Sequence, residues 1–127
     1  MTKKFFDEKE FIGIDFTKTG WELGDYEACQ FVDCNLSGLE LTETRFIEST
    51  FTNCDFSNSK ILETAFQDVC LVNCKLLGLL FEVCSSFSFS ISFQGCQLDH
   101  SSFYQVDLTR SSFKECSLSG VDFTEAN

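Results

Sequence analysis

The residues best suited to chemistry in this sequence are its eight cysteines. Cys34, Cys54 and Cys74 follow one another at intervals of 20 residues, and Cys96 and Cys116 repeat that interval after one of 22. Thiolates bind zinc and act as nucleophiles, and structural zinc sites commonly use cysteine pairs separated by two residues. No such pair occurs here. The spacing therefore favours cysteine as a small apolar core residue, as buried free cysteine commonly is.

A catalytic reading has little to build on. His100 is the only histidine, and it lies in the ordinary segment Leu98-Asp99-His100. A serine or cysteine nucleophile needs such a base within hydrogen-bond reach. The sequence also contains no glycine-rich phosphate loop and no metalloprotease motif. We therefore predict no catalytic, cofactor-binding or metal-binding residue, and a protein that is not an enzyme.

The strongest pattern in the chain is an apolar residue at every fifth position from residue 6 to residue 81. Helices repeat at 3.6 residues and strands at 2, so a period of five indicates a repeat architecture. A small residue often lies two positions before each of these centres. The sixteen centres are Phe6, Phe11, Phe16, Trp21, Tyr26, Phe31, Leu36, Leu41, Phe46, Phe51, Phe56, Ile61, Phe66, Leu71, Leu76 and Phe81.

Units such as Ile14-Asp15-Phe16-Thr17-Lys18 and Cys54-Asp55-Phe56-Ser57-Asn58 resemble the pentapeptide repeat family, whose consensus is Ala-(Asp/Asn)-Leu-X-X. The resemblance implies an all-β fold, a right-handed quadrilateral β-helix in which each coil contains four pentapeptides. This chain would form about six coils in a single domain, residues 1–127, with residues 1–5 as a lead-in. On such coils the five cysteines at intervals of 20 and 22 residues would form one column.

The repeat changes phase once. After the first phase, residues 6–81, the centres resume at Phe93 and continue to Phe123, so two residues are inserted within residues 82–92. Either Phe87 is itself a centre with one extra residue on each side, or a small bulge turns Phe87 or Phe89 outward. A tolerated bulge is one interpretation of this break, and an aromatic contact with a partner is the other.

The second phase, residues 93–127, stops in the middle of a repeat. Solenoids usually need caps, and an open coil edge can pair with another chain. We therefore expect either a fragment of a longer protein or self-association, such as a homodimer through a coil end.

Composition excludes several classes of partner. The net charge is −11, which argues against direct binding to nucleic acid or an anionic membrane and favours a protein partner with a basic surface. The N-terminus lacks the apolar region of a signal peptide, and no apolar run reaches the length of a membrane helix. We therefore predict a cytoplasmic protein, with its cysteines reduced.

The acidic residues concentrate on two adjacent faces of the predicted solenoid, those centred on the Trp21 and Phe6 columns. These faces contain only three basic residues, Lys4, Arg45 and Lys60. The predicted partner-binding acidic edge consists of Glu22, Asp25, Glu27, Glu40, Glu43, Glu48, Glu63, Asp68 and Glu82.

The family resemblance gives this edge a function. Some pentapeptide repeat proteins, the quinolone-resistance group and its relatives, are taken to mimic B-form DNA and bind DNA gyrase or topoisomerase IV. The first hypothesis is therefore an acidic DNA mimic that binds a type II topoisomerase, and charge reversal at Glu22, Glu40, Glu43 and Glu63 should abolish that activity. The second is a structural or scaffold repeat protein with an unrelated partner. A third, a thiol redox or metal-binding protein, requires reactive cysteines.

Overall fold

The computed structural model describes residues 3–127, which fold into six stacked coils. Short strands and turns alternate along the chain, and each strand contains three or four residues. The strands are β1 (Lys4–Asp7), β2 (Glu10–Ile12), β3 (Gly24–Glu27), β4 (Gln30–Val32), β5 (Arg45–Ile47), β6 (Thr50–Thr52), β7 (Ala65–Gln67), β8 (Val69–Val72), β9 (Ile91–Gln94) and β10 (Ser112–Lys114). A helical turn, α1 (Phe16–Thr19), and a 3₁₀ turn (Phe81–Val83) complete the regular elements of this part of the chain.

Two faces of the coils are parallel sheets. Face 1 has the strand order β1-β3-β5-β7, and face 2 has the order β10-β9-β8-β6-β4-β2. Within the first phase, each residue pairs with the residue 20 positions later, as Phe11 does with Phe31 and Phe31 with Phe51. One coil therefore consumes four pentapeptides, and the predicted four-sided β-helix is confirmed.

The other two faces are held by single bridges instead of strands. On face 3, Asn35 bridges Asp15 and Asp55, and on face 4, Glu40 pairs with Lys60. The first coil departs from the all-β prediction on face 3, where α1 replaces an extended segment. Asp15 caps this turn by accepting a hydrogen bond from the Thr17 backbone N–H at 3.0 Å.

The core is a set of stacked rings and aliphatic side chains at the centre positions. The Phe31 and Phe51 rings stack at a centroid distance of 4.5 Å and an angle of 9°, and Phe81 and Phe103 stack at 4.5 Å and 4°. Rings on adjacent faces meet edge to face, as Phe46 and Phe51 do at 5.1 Å. This offset and edge-on geometry is the one that aromatic pairs prefer, and it explains the heavy use of phenylalanine.

The small residues two positions before the centres also point inward. Ser59 and Thr64 are buried, and their hydroxyls donate hydrogen bonds to the carbonyls of Leu36 and Leu41 at 2.6 and 2.7 Å. Each accepting carbonyl lies 23 residues earlier, in the preceding coil. A short polar side chain can occupy this position because its one donor is satisfied.

The corners between faces use left-handed backbone. The residue two positions after a centre often has a positive φ, for example 64° at Glu43 and 54° at Asn53. Glycine, asparagine and aspartate adopt this conformation most easily, and glycine does so at Gly38 and Gly78. Side chains at the corners project into solvent, so this position sets much of the surface charge.

The predicted break is present, and the structure distinguishes between Phe87 as a centre and Phe87 turned outward. The 3₁₀ turn at Phe81–Val83 is followed by residues 84–90 without a strand, and β9 begins at Ile91. Phe87 points outward and is 73% exposed, whereas Phe89 points inward and is 5% exposed. The Phe89 ring meets Phe66 and Phe81 edge to face at 6.4 and 6.3 Å. Phe89 therefore takes the centre position of face 1, and the interpretation with Phe87 as a centre is wrong.

Candidate functional site

The predicted acidic edge lies on faces 4 and 1 and the corner that joins them to face 2. Seven of its nine side chains are exposed, and Asp25 and Glu27 are half-buried. Face 4 contains the column Trp21, Leu41, Ile61 and Phe81, and face 1 contains Phe6, Tyr26, Phe46 and Phe66. The stacking predicted for these two columns is therefore observed, and the predicted carboxylates share one side of the rod.

Basic residues neutralise the N-terminal part of this edge. The Lys4 ammonium lies 2.8 Å from the Glu22 carboxylate, and the hydrogen bond that it donates to Glu22 raises the pKa of Lys4. Asp25 lies between Lys3, at 3.3 Å, and Arg45, at 3.1 Å. A partner would have to displace these ion pairs to contact Glu22 and Asp25, so the first coils present less free charge than the sequence count indicates.

The middle of the edge retains free charge in two rows. Glu43 and Glu63 lie at the corner between faces 4 and 1, with φ of 64° and 56°, and Glu48 and Asp68 lie at the corner between faces 1 and 2, with φ of 52° and 54°. All four are exposed, and none of them takes part in an ion pair within residues 3–127. We call these four residues the acidic rows. The two residues of each row belong to adjacent coils, whose strands are about 4.8 Å apart.

The remaining acidic residues lie outside these rows. Glu40 accepts a hydrogen bond from the Thr42 hydroxyl at 2.8 Å, and its backbone pairs with Lys60 on face 4. Glu27 lies on face 1 between the rows and is half-buried. Glu82 lies in the 3₁₀ turn at the start of the break and is exposed. The unpaired negative charge of the edge is therefore concentrated in its middle and is sparser toward both ends.

The cysteines form the predicted column. Cys34, Cys54, Cys74 and Cys96 are buried beneath the corner between faces 2 and 3, and Cys116 is half-buried in the last coil. The thiols donate hydrogen bonds to carbonyls of the preceding coil, as Cys34 does to Phe11 at 3.3 Å and Cys74 to Phe51 at 3.4 Å. All eight cysteines are free.

The environment of most of these thiols opposes ionisation. Burial raises the pKa of Cys34 and of Cys29, and it raises the pKa of Cys84 to about 12. The neighbouring thiols of Cys54 and Cys96, together with burial, raise the pKa of Cys74. The hydrogen bond with Cys74 lowers the pKa of Cys54 and lowers that of Cys96 to about 7, but both thiols are buried. Because a thiolate must be accessible to react, these buried cysteines are poor nucleophiles. Within residues 3–127, no group of three or more histidine, cysteine or acidic side chains is placed to hold a metal ion.

This burial predicts the outcome of thiol labelling. In native protein at pH 8, an aromatic disulfide reagent should label at most two thiols rapidly, those of half-exposed Cys70 and Cys116, and all eight after denaturation. A variant with Cys70→Ser and Cys116→Ser should lose the fast phase. Rapid labelling of six or more thiols in native protein would support the redox hypothesis instead.

His100 lies apart from any arrangement of catalytic groups. It occupies an exposed corner with φ of 65°, between faces 3 and 4. Its ring lies against Gly120, where an added Cβ would meet His100 Nδ1 at 2.6 Å. Its position is that of a corner residue on the repeat.

No helix in the part of the chain that the structure describes is long and apolar enough to cross a membrane.

Similarity to known proteins agrees with this architecture. The sequence model for pentapeptide repeats matches eight copies, over residues 29–61, 40–78 and 91–127. The chain belongs to the pentapeptide repeat family. No curated protein sequence is detectably similar to it.

Solved structures with the pentapeptide repeat fold are similar to this chain. Full-length QnrB1, a plasmid-mediated fluoroquinolone resistance protein, matches with a TM-score of 0.66 at 14% identity, over 97% of this chain and 74% of QnrB1. A trypsin-treated QnrB1 variant matches with a TM-score of 0.55 at 17% identity, over 97% of this chain and 73% of the variant. At these identities the likeness establishes the fold.

Sequence reasoning missed one concave feature of the surface. A cavity of about 240 Å³ lies beside the break and is lined by Glu82, Tyr104 and Asp107, among others. Of these three, only Glu82 belongs to the predicted edge. The two-residue insertion was the available signal, because an extra length of chain in one coil must separate it locally from the next.

Proposed function

We propose that this protein is a non-enzymatic, acidic interaction module that mimics DNA and binds the basic DNA-binding surface of a type II topoisomerase. The observation that carries this proposal is the pair of acidic rows on one side of the β-helix. Their four carboxylates are exposed and free of ion pairs within residues 3–127. A surface that binds duplex DNA is lined with lysine and arginine, which such carboxylates would attract.

The likeness to QnrB1 supports the choice of partner. QnrB1 is a fluoroquinolone resistance protein with the same fold, and the match extends over 97% of this chain. Fluoroquinolones act on DNA gyrase and topoisomerase IV. The quinolone-resistance group of pentapeptide repeat proteins, which this chain resembles, is taken to bind the same enzymes. Such a partner would place the protein in the cytoplasm, where free cysteines such as the eight of this chain stay reduced.

A gyrase supercoiling assay, with and without a fluoroquinolone, tests the proposal. We expect the protein either to inhibit supercoiling or to protect it from the drug, and the effect should weaken as salt rises because exposed charges are screened. Bovine serum albumin at the same concentration controls for nonspecific effects of an acidic protein. The absence of both inhibition and protection, at low salt and with the protein in excess, would contradict the topoisomerase proposal.

One observation favours the alternative function, a structural scaffold with an unrelated partner. The pairing of Glu22 with Lys4 and of Asp25 with Lys3 and Arg45 confines strong negative charge to the middle of the rod. A duplex has charge along its whole length. If the gyrase assay gives no effect, affinity capture with the folded protein should recover a partner whose binding does not depend on the acidic rows.

A further inference from the structure

The break separates the fifth and sixth coils on face 1. The sheet on this face ends at β7, whereas the sheet on face 2 continues through β9 to β10. Residues 85 and 90 still bond to the fourth coil, through Ser85 N–H to the Thr64 carbonyl at 2.8 Å and Ser90 N–H to the Phe66 carbonyl at 3.0 Å. No backbone hydrogen bond joins residues 84–88 to residues 106–109, all of which the structure describes. The extra residues therefore open the ladder on one side only.

The opening is the cavity of about 240 Å³. Its interior is apolar, because buried Phe81 and Phe89 and half-buried Val106 line it. By volume it corresponds to about eight water molecules, which is room for one long side chain and too little for a folded segment. A cavity with this lining suits the aliphatic part of a side chain.

The mouth of the cavity is negatively charged and aromatic. The carboxylates of Glu82 and Asp107 and the ring of Tyr104 line it, and all three residues are exposed. No lysine or arginine lines the cavity, and neither carboxylate takes part in an ion pair among the described residues. Hydrogen bonds from Thr109, together with the nearby charge of Arg110, lower the pKa of Asp107, which keeps its charge at neutral pH. The mouth therefore attracts a cation.

We propose that this cavity binds an arginine side chain of the protein partner. An arginine has an aliphatic stem for the apolar interior and a planar guanidinium that can stack on Tyr104 while it donates to two carboxylates. A lysine ammonium lacks the planar fork that matches carboxylates in this way. The inference deepens the proposed function, on which it rests, because Glu82 joins the cavity to the acidic edge.

A second feature of the break indicates a protein partner and not a free amine. Phe87 is 73% exposed and lines a shallow depression on face 1 together with Glu43 and Glu63 of the acidic rows and with the basic residues Lys3 and Arg45. Large apolar side chains at the centre of interfaces commonly supply much of the binding energy. The same short segment thus presents an exposed aromatic ring beside the cavity and next to two carboxylates of the acidic rows.

The test is a nuclear magnetic resonance titration of the full chain with N-acetyl-L-arginine amide. We expect millimolar binding and shifts at the backbone amides of Ser85, Ser86 and Gln105, which line the cavity. The citrulline analogue is nearly isosteric but uncharged, and it should shift these amides at least about tenfold less at equal concentration. Equal shifts from citrulline or lysine amide, or no shifts with the arginine compound, would overturn the proposal.

A double variant provides the matched control. Glu82→Gln with Asp107→Asn should weaken binding of the arginine compound about tenfold, because it removes two exposed charge contacts. Asparagine keeps the side-chain oxygen that accepts the Thr109 N–H at 3.0 Å, so the turn should stay intact. An unchanged affinity in a variant whose amide spectrum is otherwise wild-type would contradict the role of the carboxylates.

The same variant separates this inference from the proposed function. If the wild-type protein affects gyrase, the double variant should need about tenfold more protein for the same effect. Equal potency would overturn the cavity as a partner site and leave the topoisomerase proposal standing. If the wild-type protein binds the arginine compound at the cavity but leaves gyrase unaffected, the topoisomerase proposal fails and the cation site stands.

Discussion

Replacing Phe51 with alanine should lower the free energy of unfolding by about 3–5 kcal/mol, the range expected for deleting a buried phenylalanine side chain. Phe51 is completely buried in the third of six coils. Its ring stacks on Phe31 at 4.5 Å and meets Phe46 and Phe56 edge to face at 5.1 and 4.9 Å. The truncation would remove three aromatic contacts at once, and the ladder hydrogen bonds on both sides hinder collapse of the resulting cavity.

The position of Phe51 adds a second expected effect. Coils of a solenoid contact only their neighbours, so a weak central coil should uncouple the two ends of the rod. In urea denaturation, the fluorescence of Trp21 in the first coil and circular dichroism of the whole chain should coincide in the wild type and separate in Phe51→Ala.

The control for this prediction is a phenylalanine that lies outside the core. Phe87→Ala should change the free energy of unfolding by less than about 0.5 kcal/mol, because Phe87 is 73% exposed. A loss below about 1 kcal/mol in Phe51→Ala, or a larger loss in Phe87→Ala, would contradict the assignment of core and surface.

The period of five predicts the core well because the stacked coils repeat the same environment. Phe31, Phe51 and Leu71 occupy equivalent places on one face, and each must fill the space between its neighbours. The break lacks this repetition. Phe87 and Phe89 are equally apolar and both flank the interrupted phase, so the choice between them depends on how residues 84–90 pack against Phe66 and Phe81. Three-dimensional packing determines which of the two rings turns inward, and the five-residue period does not indicate it.

Some ion pairs on the surface could be predicted from the repeat, and others could not. Asp25 and Arg45 lie 20 residues apart, so the repeat itself places them side by side, and their ion pair was available to sequence reasoning. Lys4 and Glu22 lie 18 residues apart and meet through side-chain reach across a corner, which the repeat does not encode. The cavity at the break could not be predicted from the repeat, because it depends both on local packing and on side chains from different coils. Glu82 precedes the insertion and Asp107 follows it by a full coil, so their proximity depends on the local opening of the ladder.

Reversing three charges of the acidic rows should weaken the effect on gyrase by about 10- to 100-fold. The variant is Glu43→Lys, Glu48→Lys and Glu63→Lys, which leaves Asp68 in place. Complementary surface charge chiefly accelerates association with a basic partner, and like charges repel it. The fold should persist, because the three side chains are exposed and make no ion pair among residues 3–127. Lysine is no more strained than glutamate at these left-handed corners.

A variant with equal net charge shows whether position matters. Glu10→Lys, Asp33→Lys and Glu115→Lys also reverse three exposed charges, on face 2 and on its corner with face 3. Each reversal raises the net charge by two units, so both triple variants go from −11 to −5. The supercoiling assay should show full activity in this second variant and a large loss in the first. Equal losses would mean that only net charge matters, and equal retention would mean that the partner binds elsewhere. Either result would refute the acidic rows as the binding surface, since a DNA mimic must present its charge on one side, where the enzyme would hold the duplex.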